Sequence, residues 1–243
     1  MYYKTTKKEA LLNIIILSYN NIDEIKVCLD NIYKHTDDFV LTILDNNSED
    51  GSRDYLKELS EEKDNVNLFL HRENLGIIKG RNFAFSLNKR YDYIIFLDAD
   101  QYVQENWLSS YMEFFDKGYK IVGCEGWKMK KDFYPCKRVK DKNDYFSYVG
   151  GGGMMMESSL FSGLGKFEEW YDMKYFEDPC ICFRAYYLGY KIAWNHHPVI
   201  IHEHKGKLLS EENKKYFMKN WEMFREVWDG ISVPVLRMDK IIS

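Results

Sequence analysis

Leu12–Asp45 reads LNIIILSYNNIDEIKVCLDNIYKHTDDFVLTILD. Its first seven residues, Leu12–Ser18, form a short apolar, β-branched run of the kind that makes a buried strand. Asn20 and Asn21 end that run. From Ile22 to His35 the apolar side chains Ile22, Ile25, Leu29, Ile32 and Tyr33 recur on one face of a helix. Phe39–Asp45 is then a second buried strand. Strand, helix and strand in 34 residues is the unit from which parallel sheets are built.

The same alternation continues downstream. Asn46–Ser52 is rich in turn residues, and Ser52–Glu62 reads as helix. Val66–His71 is a third strand, followed by a helix over Leu75–Lys89 with Ile78, Phe83 and Leu87 directed inward. Tyr93–Leu97 is a fourth strand, with Asp98-Ala99-Asp100 at its carboxyl end, and Gln104–Lys117 is a fourth helix. Four alternations predict an open, mostly parallel α/β sheet with right-handed crossovers. Beyond it the pattern loosens. Lys120–Glu125 reads as strand, and Lys128–Lys142, which contains Pro135, as a loop. Gly150–Gly153 precedes Met154–Met156, read as packing residues. Glu177–Leu188 is helical and stops at Gly189. Lys191–Trp194 and Val199–His202 are short strands, and Ser210–Trp228 is a final helix. This divides the chain into a catalytic body over 1–206 and a C-terminal helical extension over 207–243.

Composition narrows the function. The chain has 243 residues, 34 Lys and Arg against 38 Asp and Glu, and a net charge of −4. That balance argues against a globally basic nucleic-acid coat protein. The apolar runs are too short to cross a bilayer, and no signal-peptide core follows the polar N-terminus. The five cysteines show no Cys-x-x-Cys spacing, which argues against a disulfide framework or structural zinc site. The expected compartment is the cytoplasm, free or peripheral to the membrane.

In open α/β sheets ligands gather beyond the carboxyl ends of the strands. Polar clusters fall there in succession: Ser18-Tyr19-Asn20, Asp45 to Ser52, Asn74 with Gly76 and Gly80-Arg81-Asn82, and Asp98-Ala99-Asp100. Each alone fits a turn or a helix cap; four on one sheet edge fit a ligand site. Asp98 and Asp100 repel each other unless a cation lies between them, and Mg²⁺ or Mn²⁺ with hard oxygen ligands resolves the repulsion. A solvated acidic turn is the bland alternative. Asp178 precedes Pro179 and also fits a helix N-cap. His202 and His204 follow the last short strand, and in an extended segment both rings point the same way.

The ordered set NIIILSYN, LDNNSEDGS, HRENLGIIKGRN, FLDAD and YFEDPCICFRAYYLGYKIAW resembles the family 2 glycosyltransferases of the GT-A fold over roughly Asn13 to Gly206. The resemblance implies transfer of a sugar from a nucleoside diphosphate sugar, a UDP-sugar by family frequency, with inversion at the anomeric carbon. It implies that Ser18, Tyr19 and Asn20 line the nucleotide pocket, that Asp45 meets the base, and that Arg81 meets the pyrophosphate or base. Asn74, Gly76 and Ala99 join that donor-binding set. Asp98 and Asp100 match the aspartates that handle ribose and metal, with Mn²⁺ or Mg²⁺ as cofactor. Asp178, in the Glu177-Asp178 pair, matches the catalytic base. The family often adds a histidine ligand after the last strand; His202 is preferred over His204 because it ends Val199–Ile201.

For the acceptor, Gly151 and Gly152 suggest backbone passing close to a sugar, and Trp170 a stacking ring. Lys128–Lys142 carries Lys128, Lys130, Lys131, Lys137, Arg138, Lys140 and Lys142 against Asp132 and Asp141. An anionic acceptor would be drawn to it, with Lys137 and Arg138 as contacts. A sugar-nucleotide pyrophosphorylase and a catalytically inactive nucleotide- or sugar-binding module are the rival readings. The first would carry a Gly-rich basic segment where Ser18-Tyr19-Asn20-Asn21 stands. The second would not need both acidic pairs. The sequence leaves the sugar, the acceptor and the oligomeric state open.

Overall fold

A computed structural model describes residues 2–4, 11–87, 90–203 and 210–238. The strands are β1 (Tyr2–Lys4), β2 (Leu12–Ser18), β3 (Phe39–Asp45), β4 (Val66–Leu70), β5 (Tyr93–Asp98), β6 (Gln101–Val103), β7 (Ile121–Gly123), β8 (Gly126–Met129), β9 (Pro135–Arg138), β10 (Tyr148–Val149), β11 (Met154–Glu157), β12 (Ile192–Trp194) and β13 (Ile200–His202). The helices are α1 (Ile22–His35), α2 (Ser52–Glu62), α3 (Gly76–Leu87), α4 (Trp107–Asp116), α5 (Ser158–Gly163), α6 (Glu177–Tyr187) and α7 (Glu211–Val227).

Eight strands form the main sheet in the order β1-β4-β3-β2-β5-β11-β7-β12. The four strands β4, β3, β2 and β5 run parallel, as the alternating pattern requires. Along them, successive side chains point to opposite faces. Ile14, Ile16, Leu41, Ile43 and Leu97 pack with Ile25 and Leu29 of α1, Leu56 of α2, and Trp107 and Tyr111 of α4. Ile15, Leu44, Ile94 and Phe96 pack with Ile78 and Phe85 of α3, Phe161 of α5, Phe183 of α6 and Phe224 of α7. Both faces are therefore covered, which explains why the central strands are mostly apolar; the buried Asn13, Thr42 and Asn67 hydrogen-bond to one another across β2, β3 and β4.

Three readings of the sequence change. Met154–Met156 is more than packing: β11 runs antiparallel between β5 and β7, pairing Met155 with Ile95 on one side and Val122 on the other. Lys128–Lys142 is not simply a loop, because β8 and β9 form a hairpin, with Trp127 opposite Arg138. Residues 104–106 precede helix α4 rather than belonging to it, since Asn106 adopts a left-handed φ of 61°. A separate ribbon joins β6 to β13 and sets His202 opposite Gln101. The expected division at residues 206–207, and His204, lie outside the described residues. Helix α7 packs into the same core as α6 through Phe224. Among the described residues no helix is long and apolar enough to cross a membrane.

Candidate active site

The carboxyl ends of β2, β3 and β5 come into register side by side, with Ser18 beside Asp45 and Leu17 beside Asp98. Above them opens a groove of about 770 Å³, lined by Tyr19, Asn20, Asn46, Asn74, Gly76, Asp98, Ala99 and Asp100 and closed on one side by Glu212, Asn213 and Tyr216 of α7. Ser18 and Asp45 are buried behind this surface. The Ser18 hydroxyl donates to Asn21 Oδ1 at 2.8 Å. Asp45 Oδ1 accepts from the Ser48 amide at 3.0 Å and from Arg53 Nη1 at 2.8 Å. These two residues thus shape the floor, and Asn46 is the side chain from the end of β3 that reaches the groove.

Asp98 ends β5 and Asp100 lies in the turn to β6. The antiparallel ribbon then carries His202 back to them across a hundred residues. One ligand atom from each of Asp98, Asp100 and His202 can be chosen so that all lie within 4.8 Å of one another. Two carboxylates and an imidazole suit a divalent cation of the Mn²⁺ or Mg²⁺ type. The imidazole is oriented for it: Nε2 lies 3.3 Å from Asp100 Oδ1, and Nδ1 lies 3.3 Å from Glu125 Oε1. A carboxylate on the far ring nitrogen is the usual support of a metal-binding histidine. Burial alone would push the His202 pKa down. Hydrogen bonds to Asp100 and Glu125, and the charges of Asp98 and Asp100, outweigh it and raise the pKa to about 10. Glu125, itself buried, also holds Arg138 Nη1 at 3.1 Å.

Arg81 enters from α3 almost fully buried, under the rings of Phe96 and Phe167. Its Nη2 donates to Asp98 Oδ1 at 2.8 Å, and its Nη1 lies 3.7 Å from Glu177 Oε1. A second cavity of about 340 Å³ shares Asp98 with the groove and includes Arg81, Glu125, Gly150 to Gly152, Asp178 and His202. Helix α6 begins at Glu177 after a left-handed Phe176. Asp178 is therefore inside the first turn and is not the cap; its Oδ2 accepts instead from the Gly151 amide at 3.3 Å. Burial raises its pKa well above the ordinary carboxylate value, the Glu177 charge adds to this, and Arg81 partly opposes it. Such a carboxylate is poised to take a proton nearer neutrality.

The glycine run has a specific cause. A Cβ on Gly151 would stand 2.6 Å from Arg81 Nη1, one on Gly152 would overlap Asp98 Oδ2, and one on Gly153 would overlap Cys124 Sγ. The close approach is to the site's own charged groups. Of the other acceptor candidates, Lys137 is exposed on β9, Arg138 is tied to Glu125, and Trp170 is exposed, next to Tyr171 and outside the lining of both cavities.

Two buried polar residues had escaped the sequence reading. Glu125 closes the expected strand Lys120–Glu125 with no motif around it. Asn220 lies among Phe217, Trp221 and Phe224, where a polar residue on the apolar face of a helix was the available signal. Its amide Nδ2 donates to the carbonyls of Asp172 and Lys174 at 2.9 and 2.8 Å, and its Oδ1 accepts from the Asp172 amide at 3.0 Å. The segment so held contains Met173, Tyr175 and Phe176 with φ of 44°, 78° and 71°. Left-handed backbone at such bulky residues costs about 1–3 kcal/mol each.

Residues 13–189 match the sequence profile of "Glycosyl transferase family 2". Glycosyltransferase GlyA of Streptococcus pneumoniae serotype 4 is 27% identical over 100 residues, which is 41% of this chain and 14% of that protein. GalNAc-T7, solved with UDP, GalNAc and Mn²⁺, superposes with a TM-score of 0.74 at 18% identity, over 92% of this chain and 49% of the other. The mannosyltransferase PcManGT of Pyrobaculum calidifontis, solved with GDP-Man and Mn²⁺, gives a TM-score of 0.68 at 16% identity, over 93% and 66%. The chain thus has the fold of the two solved transferases and spans less than two thirds of each of the three proteins.

Proposed function

The chain belongs to glycosyl transferase family 2, and from that premise we propose that it is a metal-dependent inverting transferase acting on a nucleoside diphosphate sugar, UDP-linked by preference. The observation that supports this most is the meeting of two cavities at Asp98. One is a polar groove at the sheet edge; the other contains Asp178, a half-buried carboxylate with a raised pKa. Bound UDP in one structural neighbour and GDP-Man in another support a nucleotide-sugar donor in the groove.

Transfer is a single displacement. The acceptor oxygen forms a bond to the anomeric carbon as that carbon's bond to the diphosphate oxygen breaks, and the hydroxyl proton passes to Asp178. Asp98, Asp100 and His202 would hold a divalent cation, which would supply Lewis-acid neutralisation of the leaving diphosphate. Arg81, fixed between Asp98 and Glu177, keeps Asp98 aimed at the junction of the two cavities and moderates the charge around Asp178. Gly151 and Gly152 let the backbone cross there without displacing either.

The second cavity favours an uncharged acceptor of carbohydrate type. Its walls include Trp127, Tyr148, Tyr175 and Phe217, rings suited to the apolar faces of a sugar. Arg81 in its lining is already paired with Asp98 and Glu177, and on the hairpin that contributes Trp127 and Pro135, Arg138 is paired with Glu125 and Lys128 with Asp144. The test is nucleotide release from UDP- and GDP-sugars with and without Mn²⁺, followed by mass spectrometry of candidate glycan acceptors. Metal-dependent release that rises with acceptor is expected. Failure to turn over any nucleotide sugar in the presence of Mn²⁺ and glycan would overturn the reading.

A further inference from the structure

We infer that Asn220, on the C-terminal helix, is a positioning residue for the proposed transfer, holding the Asp172–Phe176 segment in the backbone shape that aims Asp178 into the second cavity. The inference rests on the reading of Asp178 as the base. Its grounds are geometric. Asn220 is fully buried, 42 residues after Asp178 in sequence. A side-chain amide offers two N–H donors and one carbonyl acceptor. Here the donors reach the Asp172 and Lys174 carbonyls, with the Tyr175 carbonyl farther off at 3.4 Å, and the acceptor takes the Asp172 amide. One side chain thus replaces the backbone partners that this irregular, partly buried segment lacks.

The segment it holds is used on both sides. The Met173 carbonyl accepts from the Ile77 amide at 2.6 Å, and it stands where a Gly76 Cβ would go. Met173 and Lys174 line the groove, whereas Tyr175 and Phe176 line the second cavity. Phe176 caps the start of α6, so its left-handed turn sets the direction in which Glu177 and Asp178 leave the loop. Three left-handed non-glycine residues in four positions do not persist without outside restraint. Asn220 supplies it from a helix otherwise joined to this region by aromatic contacts, such as Phe217 with Tyr175 and Phe176, and by the Lys219–Asp172 ion pair. This makes α7 a working part of the site.

Asn220→Asp tests the idea, because it keeps size and the acceptor oxygen while losing both donors. Asn220→Gln keeps the amide one methylene away and serves as a second, milder variant. Hydrogen exchange on the full chain is expected to quicken about tenfold at the amides of residues 173–178 in Asn220→Asp, with β2 and β3 unchanged. The same variant should lower kcat more than it weakens donor binding. Its kcat–pH profile should move its acid limb down, as water reaches Asp178; Asn220→Gln should fall between it and the wild type. Exchange that quickens evenly over the chain, with transfer lost only in proportion to unfolded protein, would show a general stability role and overturn the inference. So would local quickening with kcat and its pH profile unchanged. A wild-type chain that transfers no sugar would defeat the proposed function, while the exchange pattern would still report whether Asn220 holds the segment.

Discussion

Gly152 packs directly on Asp98: a Cβ at position 152 would overlap the carboxylate oxygen Oδ2 and stand 2.9 Å from Gln101 Nε2. Asp98 is meanwhile held from the other side by Arg81. The carboxylate is therefore wedged between a cation and a bare stretch of backbone, and its orientation depends on both.

Gly152→Ala is expected to weaken Mn²⁺ binding at least tenfold, because Asp98 must rotate away, with a stability loss of about 1–3 kcal/mol from overpacking. Gly150→Ala is the control. Its Cβ would meet nothing nearer than Trp127 Nε1 at 3.4 Å, so metal binding should stay close to that of the wild type. Isothermal titration with Mn²⁺ separates the two. Equal affinities for Gly152→Ala and Gly150→Ala would remove the link between the glycine run and the metal site.

Glu125 holds the far nitrogen of His202. Glu125→Gln should cost about 10–100-fold in Mn²⁺ affinity, the usual effect of losing such a support. His202→Ala should cost at least as much, and the double variant little more than His202→Ala alone, since Glu125 acts through the ring. Additive losses would mean that Glu125 reaches the metal by another route.

Strands β2 to β5 and the helices between them were legible because those strands are buried on both faces and each helix has one apolar stripe, so period and burial agree. Met154–Met156 was not legible as a strand. Three unbranched residues carry no β-preference, and their pairing comes from β5 and β7 already flanking the gap. The β8–β9 hairpin hid behind its charge: Lys130, Lys131 and Lys137 are exposed, whereas Lys128 is paired with Asp144 and Trp127 stands opposite Arg138 across the pair. At the site, Asp98, Asp100 and Asp178 stood out as carboxylates at element ends, and His202 through its place after a strand. Glu125 also closed an expected strand, Lys120–Glu125, but with no second carboxylate or motif beside it, and Asn220 lies in mid-helix. Their roles arise from contacts with residues 77 and 48 positions away, which no local pattern encodes.

Arg138 and Lys137 are neighbours on β9 with different surroundings. Arg138→Glu should weaken Mn²⁺ binding, because a second carboxylate would face Glu125 and disturb His202. Lys137→Glu should leave metal binding unchanged, since that side chain is exposed. For an uncharged acceptor, Lys137→Glu should also leave the acceptor KM insensitive to salt. A steep salt dependence abolished by Lys137→Glu would restore the case for an anionic acceptor.

Asp178 gives the final test, in two directions at once. Its pKa in the folded chain is raised well above 3.8 by burial and by Glu177. Between those two values the folded state binds more protons than the unfolded state, so stability falls as pH rises through that window. Asp178→Asn cannot ionise and escapes this loss. It should match the wild type in stability below the ordinary carboxylate range and become the more stable protein as pH rises, measured by urea denaturation without metal. Transfer should move oppositely: the wild-type rate should climb with pH as Asp178 ionises, whereas Asp178→Asn should stay flat, about 10²–10⁴-fold below the wild-type plateau in kcat, with the gap closing at low pH. A variant both less stable at neutral pH and fully active would mean that Asp178 serves the helix start and not the proton.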